Sequence, residues 1–444
     1  MKEQGRGGGP ERDFATARAV EVFSGAWYGD RRLRLTFPPA WDVQVIGESP
    51  GPRLGSAELR DRLRDPIGSP RVAHLARGCR KAVIVIDDIS RPTPTAELLP
   101  LVLEELEDGG IPPPSIRIVI AAGGHEAASK DENLKKIGSG IAARVAFELH
   151  DPDGDLVYAG ISPSGIPLHI NRTVMEADLK IGIGSICPHD AAGFSGGSKI
   201  LVPGVAGTQT ARYLHDFLKG SEGRGGAVDN DFRSELDAIT GALGLNFIVN
   251  VILDHGRHIV DLFAGDRILA HREGARVAAL KFAVTPVDDA GIVVANTYPF
   301  DANLWFVPWG LWPLTEAQPD ATKVALADGS QGPGSHRLKP TELSFARRAW
   351  VRLLTLRPRH AWKQARHLFF SLRRTRSRRE LEFLMLCPNI SQEDLAKRFP
   401  AAALFRSWDE LLDELKRRHG DDRVKVAVYP CAPLQVPRKI EEGG

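Results

Sequence analysis

Short, continuously apolar runs that alternate with amphipathic stretches constrain this chain more than any other feature. Residues 81–86 (KAVIVI), 116–121 (IRIVIA), 179–184 (LKIGIG) and 291–295 (GIVVA) read as strands buried on both faces. Amphipathic helical patterns at 95–107 and 207–219 lie between them. That alternation predicts an α/β protein with mainly parallel sheets. A helix ends near 284–290 before a new strand, so two α/β domains are expected, 21–284 and a smaller 285–430, with the active site in the cleft between them. Residues 1–20 are polar and Gly-rich and are expected to be disordered; 431–444 read as a tail.

Composition narrows the function classes. A chain of 444 residues, 43% hydrophobic, fits a globular protein of two or three domains. A formal net charge of +2 gives no general attraction to nucleic acid or membrane surfaces. Cys79, Cys187, Cys387 and Cys431 form no CxxC pair, which suits a reduced, cytoplasmic setting. The start of the chain lacks the apolar core of a signal peptide. No apolar run approaches the ~20 residues of a membrane span. One segment stands apart: 347–379 holds twelve Lys and Arg and no acid, with Trp350, Trp362, Phe369 and Phe370 interleaved. It reads either as a helical insertion with a solvated basic face or as a surface for RNA, anionic lipid or an acidic partner.

The chemistry concentrates beyond the strand ends, where ligands sit in open α/β sheets. Residues 81–86 lead into Asp87, Asp88, Ser90, Arg91 and Pro92; residues 116–121 lead into Gly123, Gly124, His125 and Glu126. Residues 179–184 lead into Pro188-His189 and then Gly193-Phe-Ser195-Gly196-Gly197-Ser-Lys199. Glycines there permit close backbone approach and can expose N–H groups to an anion. The spacing is not that of an ATP-type phosphate loop, which needs Gly-Lys followed by Ser or Thr. A lysine at such a place serves as a point charge or as a nucleophile. Arg91 suits a carboxylate or phosphate through its planar fork. His125 and His189 could titrate near neutral pH. Each also has a plain structural reading: a capped turn for Asp88, a satisfied core histidine for His125, a helix-surface or core histidine for His215. From the residues alone two other functions stay open. One is a metal-dependent hydrolase using Asp88, His125, His189 and His215. The other is a non-catalytic nucleotide- or RNA-binding protein using the glycine loop and 347–379.

These motifs, in this order, resemble the lactate racemase family, whose members use a nickel-pincer nucleotide. The resemblance covers 27–303 and extends through His215 and the stretch Phe263-Ala-Gly-Asp266 to Ala270-His271-Arg-Glu-Gly274. It implies a racemase or epimerase of a 2-hydroxy acid, with 21–284 the cofactor-binding domain. It implies that Lys199 tethers the cofactor, with Asp88, Ser195, Gly196 and Gly197 beside it. It further implies that His215 binds nickel, that His125 and His189 are the catalytic acid/base pair, and that Arg91 holds the substrate. Cofactor biosynthesis proteins are implied as partners. The chain departs from the family after 291–295. Where the family keeps a Gln and a Lys for the substrate, this chain has Phe306 and Trp309. A bulkier or more apolar acid than lactate is therefore expected.

Overall fold

The computed structural model describes residues 19–47, 50–217, 225, 229–335, 381–420 and 423–438. Two six-stranded sheets dominate it. In the first, the order is Ile259–Gly265, Phe247–Leu253, Leu179–Ser185, Ala82–Asp87, Ile116–Ala121, Ala146–Leu149. All neighbours are parallel except the Ile259–Gly265 edge, which returns antiparallel to Phe247–Leu253. Every residue of Ala82–Asp87 and Leu179–Ser185 is buried, as the continuous apolar runs require of strands covered on both faces. The helix Thr95–Asp108 turns Leu98, Leu99, Val102 and Leu106 inward at helical spacing.

The second sheet runs Ala402–Phe405, Phe383–Leu386, Thr322–Leu326, Ile292–Asn296, Lys425–Tyr429, Asp42–Val45, and is parallel throughout. Its last strand comes from the start of the chain, so the sheet does not respect a single cut at 284. Residues 431–437, read from sequence as a tail, are structural: Cys431, Ala432 and Leu434 are fully buried. Val436–Pro437 pairs with Ala283–Val284. Residues 19 and 20 likewise belong to a strand, Ala19–Ser24. The rest of the N-terminus and the basic segment 347–379 lie outside the described residues. Among the described residues no helix is long and apolar enough to cross a membrane.

Both sheets reverse their winding direction once. In the first, the chain moves outward from Ala82–Asp87 on one side and then resumes on the other with Leu179–Ser185. In the second, it moves outward from Ile292–Asn296 through Thr322–Leu326, and Lys425–Tyr429 returns on the opposite side. Loops diverge at such a switch point and leave a crevice beyond the strand ends. The segments carrying Asp88, His189 and Phe306 all leave strands that border these two points.

Candidate active site

Asp88 sits at the end of the Ala82–Asp87 strand, 2% exposed. Its carboxylate faces His125 Nδ1 at 2.8 Å and accepts the Ser90 hydroxyl at 2.6 Å. Burial alone would raise this carboxyl. The charge and hydrogen bond of His125, with Arg91 and Ser90 behind it, outweigh that and hold it down at about 2. A carboxylate on Nδ1 leaves Nε2 as the working nitrogen of His125. That atom lies 3.2 Å from Arg91 Nη2.

The Arg91 guanidinium also covers two aromatic rings, 5.3 Å above Phe306 and 4.8 Å above Trp309. Those rings meet edge to face at 5.2 Å. Phe306 touches the His125 ring at 5.3 Å, and Trp309 the His189 ring at 6.1 Å. The two histidines thus sit at opposite ends of one aromatic pair, with a single cation over both rings. On His189, Nδ1 accepts the N–H groups of Ala191 (3.1 Å) and Ala192 (3.2 Å), so in the neutral ring the hydrogen lies on Nε2, the reverse of His125.

Lys199 ends the glycine turn, on the short helix Gly197–Ile200. Gly196 and Gly197 adopt φ of 82° and 58°, a backbone that side chains disfavour. The expectation that this turn offers free N–H groups to an anion does not hold at two positions. The Ser195 N–H bonds Cys187 O at 2.8 Å and the Gly197 N–H bonds Asn250 Oδ1 at 2.8 Å. The Ser195 hydroxyl is also engaged within the loop, donating to Ser185 O and accepting from Cys187 N. Positive charge comes instead from side chains. Lys199, Arg91 and Arg233 are closely surrounded, and among the described residues none is ion-paired with a carboxylate. Burial, then Arg91 and Arg233, pull the Lys199 amine down to about 7.

The structure therefore links Asp88, His125, Arg91, Phe306, Trp309 and His189 in one chain of contacts, with the turn of Ser195, Gly196, Gly197 and Lys199 beside them. His215 falls on the helix Thr208–Phe217, but its side chain is outside the described residues. No cluster of three His, Cys, Asp or Glu suited to a metal forms among the described residues.

Several supporting residues escaped the sequence reading. Lys136 is fully buried and holds the Asp88 loop from behind. Its ammonium pairs with Asp87 at 2.7 Å and donates to the carbonyls of Arg91 and Thr93, both at 2.9 Å. Trp27 donates to the same Arg91 carbonyl at 3.1 Å. The helix Lys130–Ile137 that carries Lys136 is fixed by reciprocal Ser129–Glu132 capping bonds. Its polar sequence, KDENLKKI, reads as a surface helix and gives no sign of an inward lysine. Replacing Lys136 with methionine is expected to cost about 3–5 kcal/mol, because Asp87 would remain buried without its cation. Denaturant unfolding measures this, and a loss below 1 kcal/mol would contradict it.

A cavity of about 480 Å³ opens on this site. Asp88, His125 and Phe306 line it together with Tyr28, Glu132 and Gln331, whereas Arg91, His189, Lys199 and Trp309 do not. It falls within the ~300–1,000 Å³ range of small-molecule sites.

Comparison with known proteins shows kinship and fold. A family model described as the lactate racemase N-terminal domain matches residues 28–225. The lactate racemase of Thermoanaerobacterium thermosaccharolyticum is 32% identical over 325 residues, 70% of this chain and 76% of that protein. The lactate racemase of Lactiplantibacillus plantarum is 32% identical over 275 residues, 61% of this chain and 65% of that protein. The solved apoprotein of the T. thermosaccharolyticum lactate racemase superposes with a TM-score of 0.70 at 23% identity, covering 95% of this chain and 100% of that one. A Thermotoga maritima protein superposes with a TM-score of 0.60 at 17% identity, covering 87% and 99% of the two chains. The structural likenesses carry the α/β fold, and the sequence likeness carries the kinship: this chain belongs to the lactate racemase family and is an isomerase of the racemase type.

Proposed function

We propose that the protein racemises or epimerises a 2-hydroxy acid larger and more apolar than lactate, by hydride transfer to and from a nickel-pincer nucleotide tethered at Lys199. The observation that carries this reading is the contact chain His125–Phe306–Trp309–His189 under the Arg91 guanidinium. The residues fit such a group. Lys199, Arg91 and Arg233 crowd together, with Asp88 near Arg91 and Asp237 near Arg233 offsetting them only in part, and a nucleotide phosphate or a substrate carboxylate would complete the balance. The Lys199 amine at about 7 is substantially neutral at physiological pH, as a nucleophile must be. His215 is the expected nickel ligand. When bound, the group supplies the hydride acceptor.

The protein's own contribution is orientation and proton transfer. The C–H beside the hydroxyl of a 2-hydroxy acid is weakly acidic, so direct deprotonation is a poor route to inversion. Loss of hydride gives a planar keto acid, to which hydride can return on either face. The hydroxyl proton must move with it. His125 offers Nε2 as the base for that proton, and His189, whose ring hydrogen lies on Nε2, is the donor that returns one on the other side of the reaction. Asp88 stabilises the charged His125 that results. At rest Nε2 of His125 lies against Arg91. A substrate carboxylate that takes up the Arg91 fork frees that nitrogen for the hydroxyl. Phe306 is buried and Trp309 half-buried, and together they offer aromatic surface to the substrate side chain. Burying an apolar side chain there contributes ~1.5–3 kcal/mol, or ~10–10² in affinity.

Enantiopure 2-hydroxy acids of increasing side-chain size, given to cofactor-loaded protein and followed by chiral chromatography, test the reading. Acids with large apolar or aromatic side chains are expected to turn over faster than lactate. Faster turnover of lactate than of every larger acid would overturn the substrate assignment. Trp309→Lys is expected to shift preference back towards lactate.

A further inference from the structure

Three buried side chains from three different elements converge on the turn that carries Lys199, and beyond the charge of Arg233 the reaction described above gives them no role. Arg233, on the helix Asp231–Leu243, donates Nη1 to Gly196 O at 2.9 Å and Nη2 to Phe194 O. His271, on the helix Leu269–Lys281, bonds Ser195 O through Nε2 at 2.9 Å. Its pKa is pushed well below the ordinary value, by burial first and then by Arg233, so the ring is neutral and this nitrogen donates. Asn250, on the strand Phe247–Leu253, accepts the Gly197 N–H at 2.8 Å and donates to Gly184 O at 3.3 Å. Three consecutive carbonyls, of residues 194, 195 and 196, are thus each held by a buried side-chain donor, and the next N–H is held by Asn250. There is little slack. A Cβ on Gly196 would lie 2.8 Å from Asn250 Oδ1, and one on Gly197 would lie 2.8 Å from His271 Cγ. The turn and its three supports fit only with glycine at both places.

We propose that Arg233, His271 and Asn250 are positioning residues that fix the 194–197 turn, so that the Lys199 amine faces the site as the acceptor of an acyl group. This rests on the reading of Lys199 as the tether. Fixing the carbonyls fixes where residue 199 leaves the turn, and hence where its side chain lies. Arg233 has a second effect through charge. Burial, Arg91 and Arg233 are, in that order, what lower the Lys199 amine. Asp237, whose Oδ1 accepts the Ser198 hydroxyl at 2.5 Å, is the acid that partly offsets Arg233, and the Phe232 ring lies 5.9 Å from the Lys199 ammonium. Arg233 therefore both shapes the turn and favours the neutral amine.

Competitive trace acetylation of the cofactor-free protein reads this without any turnover. The Lys199 nitrogen bonds an acetyl carbon of acetic anhydride, acetate leaves with the bonding electron pair, and the amine proton passes to solvent. Peptide mass spectrometry compares Lys199 with Lys397, an exposed surface lysine. The wild-type rate at Lys199 should level off just above pH 7. Arg233→Gln, His271→Gln and Gly197→Ala should each slow Lys199 acetylation at pH 7 by about fivefold or more relative to Lys397, the effect of a one-unit rise from about 7 or of an equivalent loss of presentation. Arg233→Lys should keep the low-pH plateau better than Arg233→Gln. Arg276→Gln, an exposed change on the same helix as His271, should leave the ratio unchanged. Wild-type ratios in Arg233→Gln, His271→Gln and Gly197→Ala would overturn the inference, and so would an equal loss in Arg276→Gln. If one of the first three does not fold, the other two decide. The tether is tested apart: an intact adduct on loaded Lys199→Ala sinks that reading, whereas an adduct lost there with wild-type acetylation in the Arg233 and His271 variants sinks only this one.

Discussion

Lys199→Ala is expected to carry no covalent adduct and to show activity no higher than background when produced with the cofactor biosynthesis enzymes. Intact-mass measurement separates this from simple misfolding. The side chain lies in a crowded part of the site and makes no ion pair among the described residues, so truncation removes a reactive amine rather than a structural bond. The fold should survive, with an unfolding midpoint close to wild type. An adduct of unchanged mass would show that another nucleophile holds the cofactor.

The second large effect concerns the histidines. His125→Gln and His189→Gln are each expected to lower kcat by ~10²–10⁴, the usual worth of a positioned acid or base. Both variants should keep the adduct and the metal, because neither ring is expected to be a ligand. The two should differ when started from opposite enantiomers, since each histidine serves one direction of proton transfer. Asp88→Asn should cost less than loss of His125, because the amide can still accept from Nδ1 but cannot balance the charged ring. Loss of metal in His189→Gln would contradict the assignment.

The sequence carried the strands of the first sheet well, because a strand covered on both faces must be apolar throughout. Residues 116–121 coincide with the strand Ile116–Ala121, and 81–86 is displaced by one residue from Ala82–Asp87. What it concealed was long-range. Nothing near Asp42–Val45 announces that this strand closes the second sheet, since the partner Lys425–Tyr429 lies far along the chain. Residues 431–437 have the Pro-rich composition of a tail, yet Cys431 and Leu434 fill the core between the site segments. In the site, the sequence offered Asp88, Arg91, His125, His189 and Lys199 by chemical type at the strand ends, and the fold brings them near one another. Phe306 and Trp309 were also expected there, but not that Arg91 would lie across both rings. Lys136, Trp27, Arg233 and Asn250 were invisible because they act on backbone carbonyls and amides of distant loops. A side chain that holds a backbone group leaves no spacing pattern. Only the fold brings it there.

The most direct test of the central claim is the fate of the C2 hydrogen. Cofactor-loaded protein is given an enantiopure 2-hydroxy acid with a large apolar side chain in deuterated water, and the product enantiomer is examined by mass spectrometry and proton NMR. Hydride transfer predicts that the inverted product keeps its original hydrogen at C2. Deuterium at C2 in proportion to the extent of inversion would mean that the carbon is deprotonated, and would contradict the account.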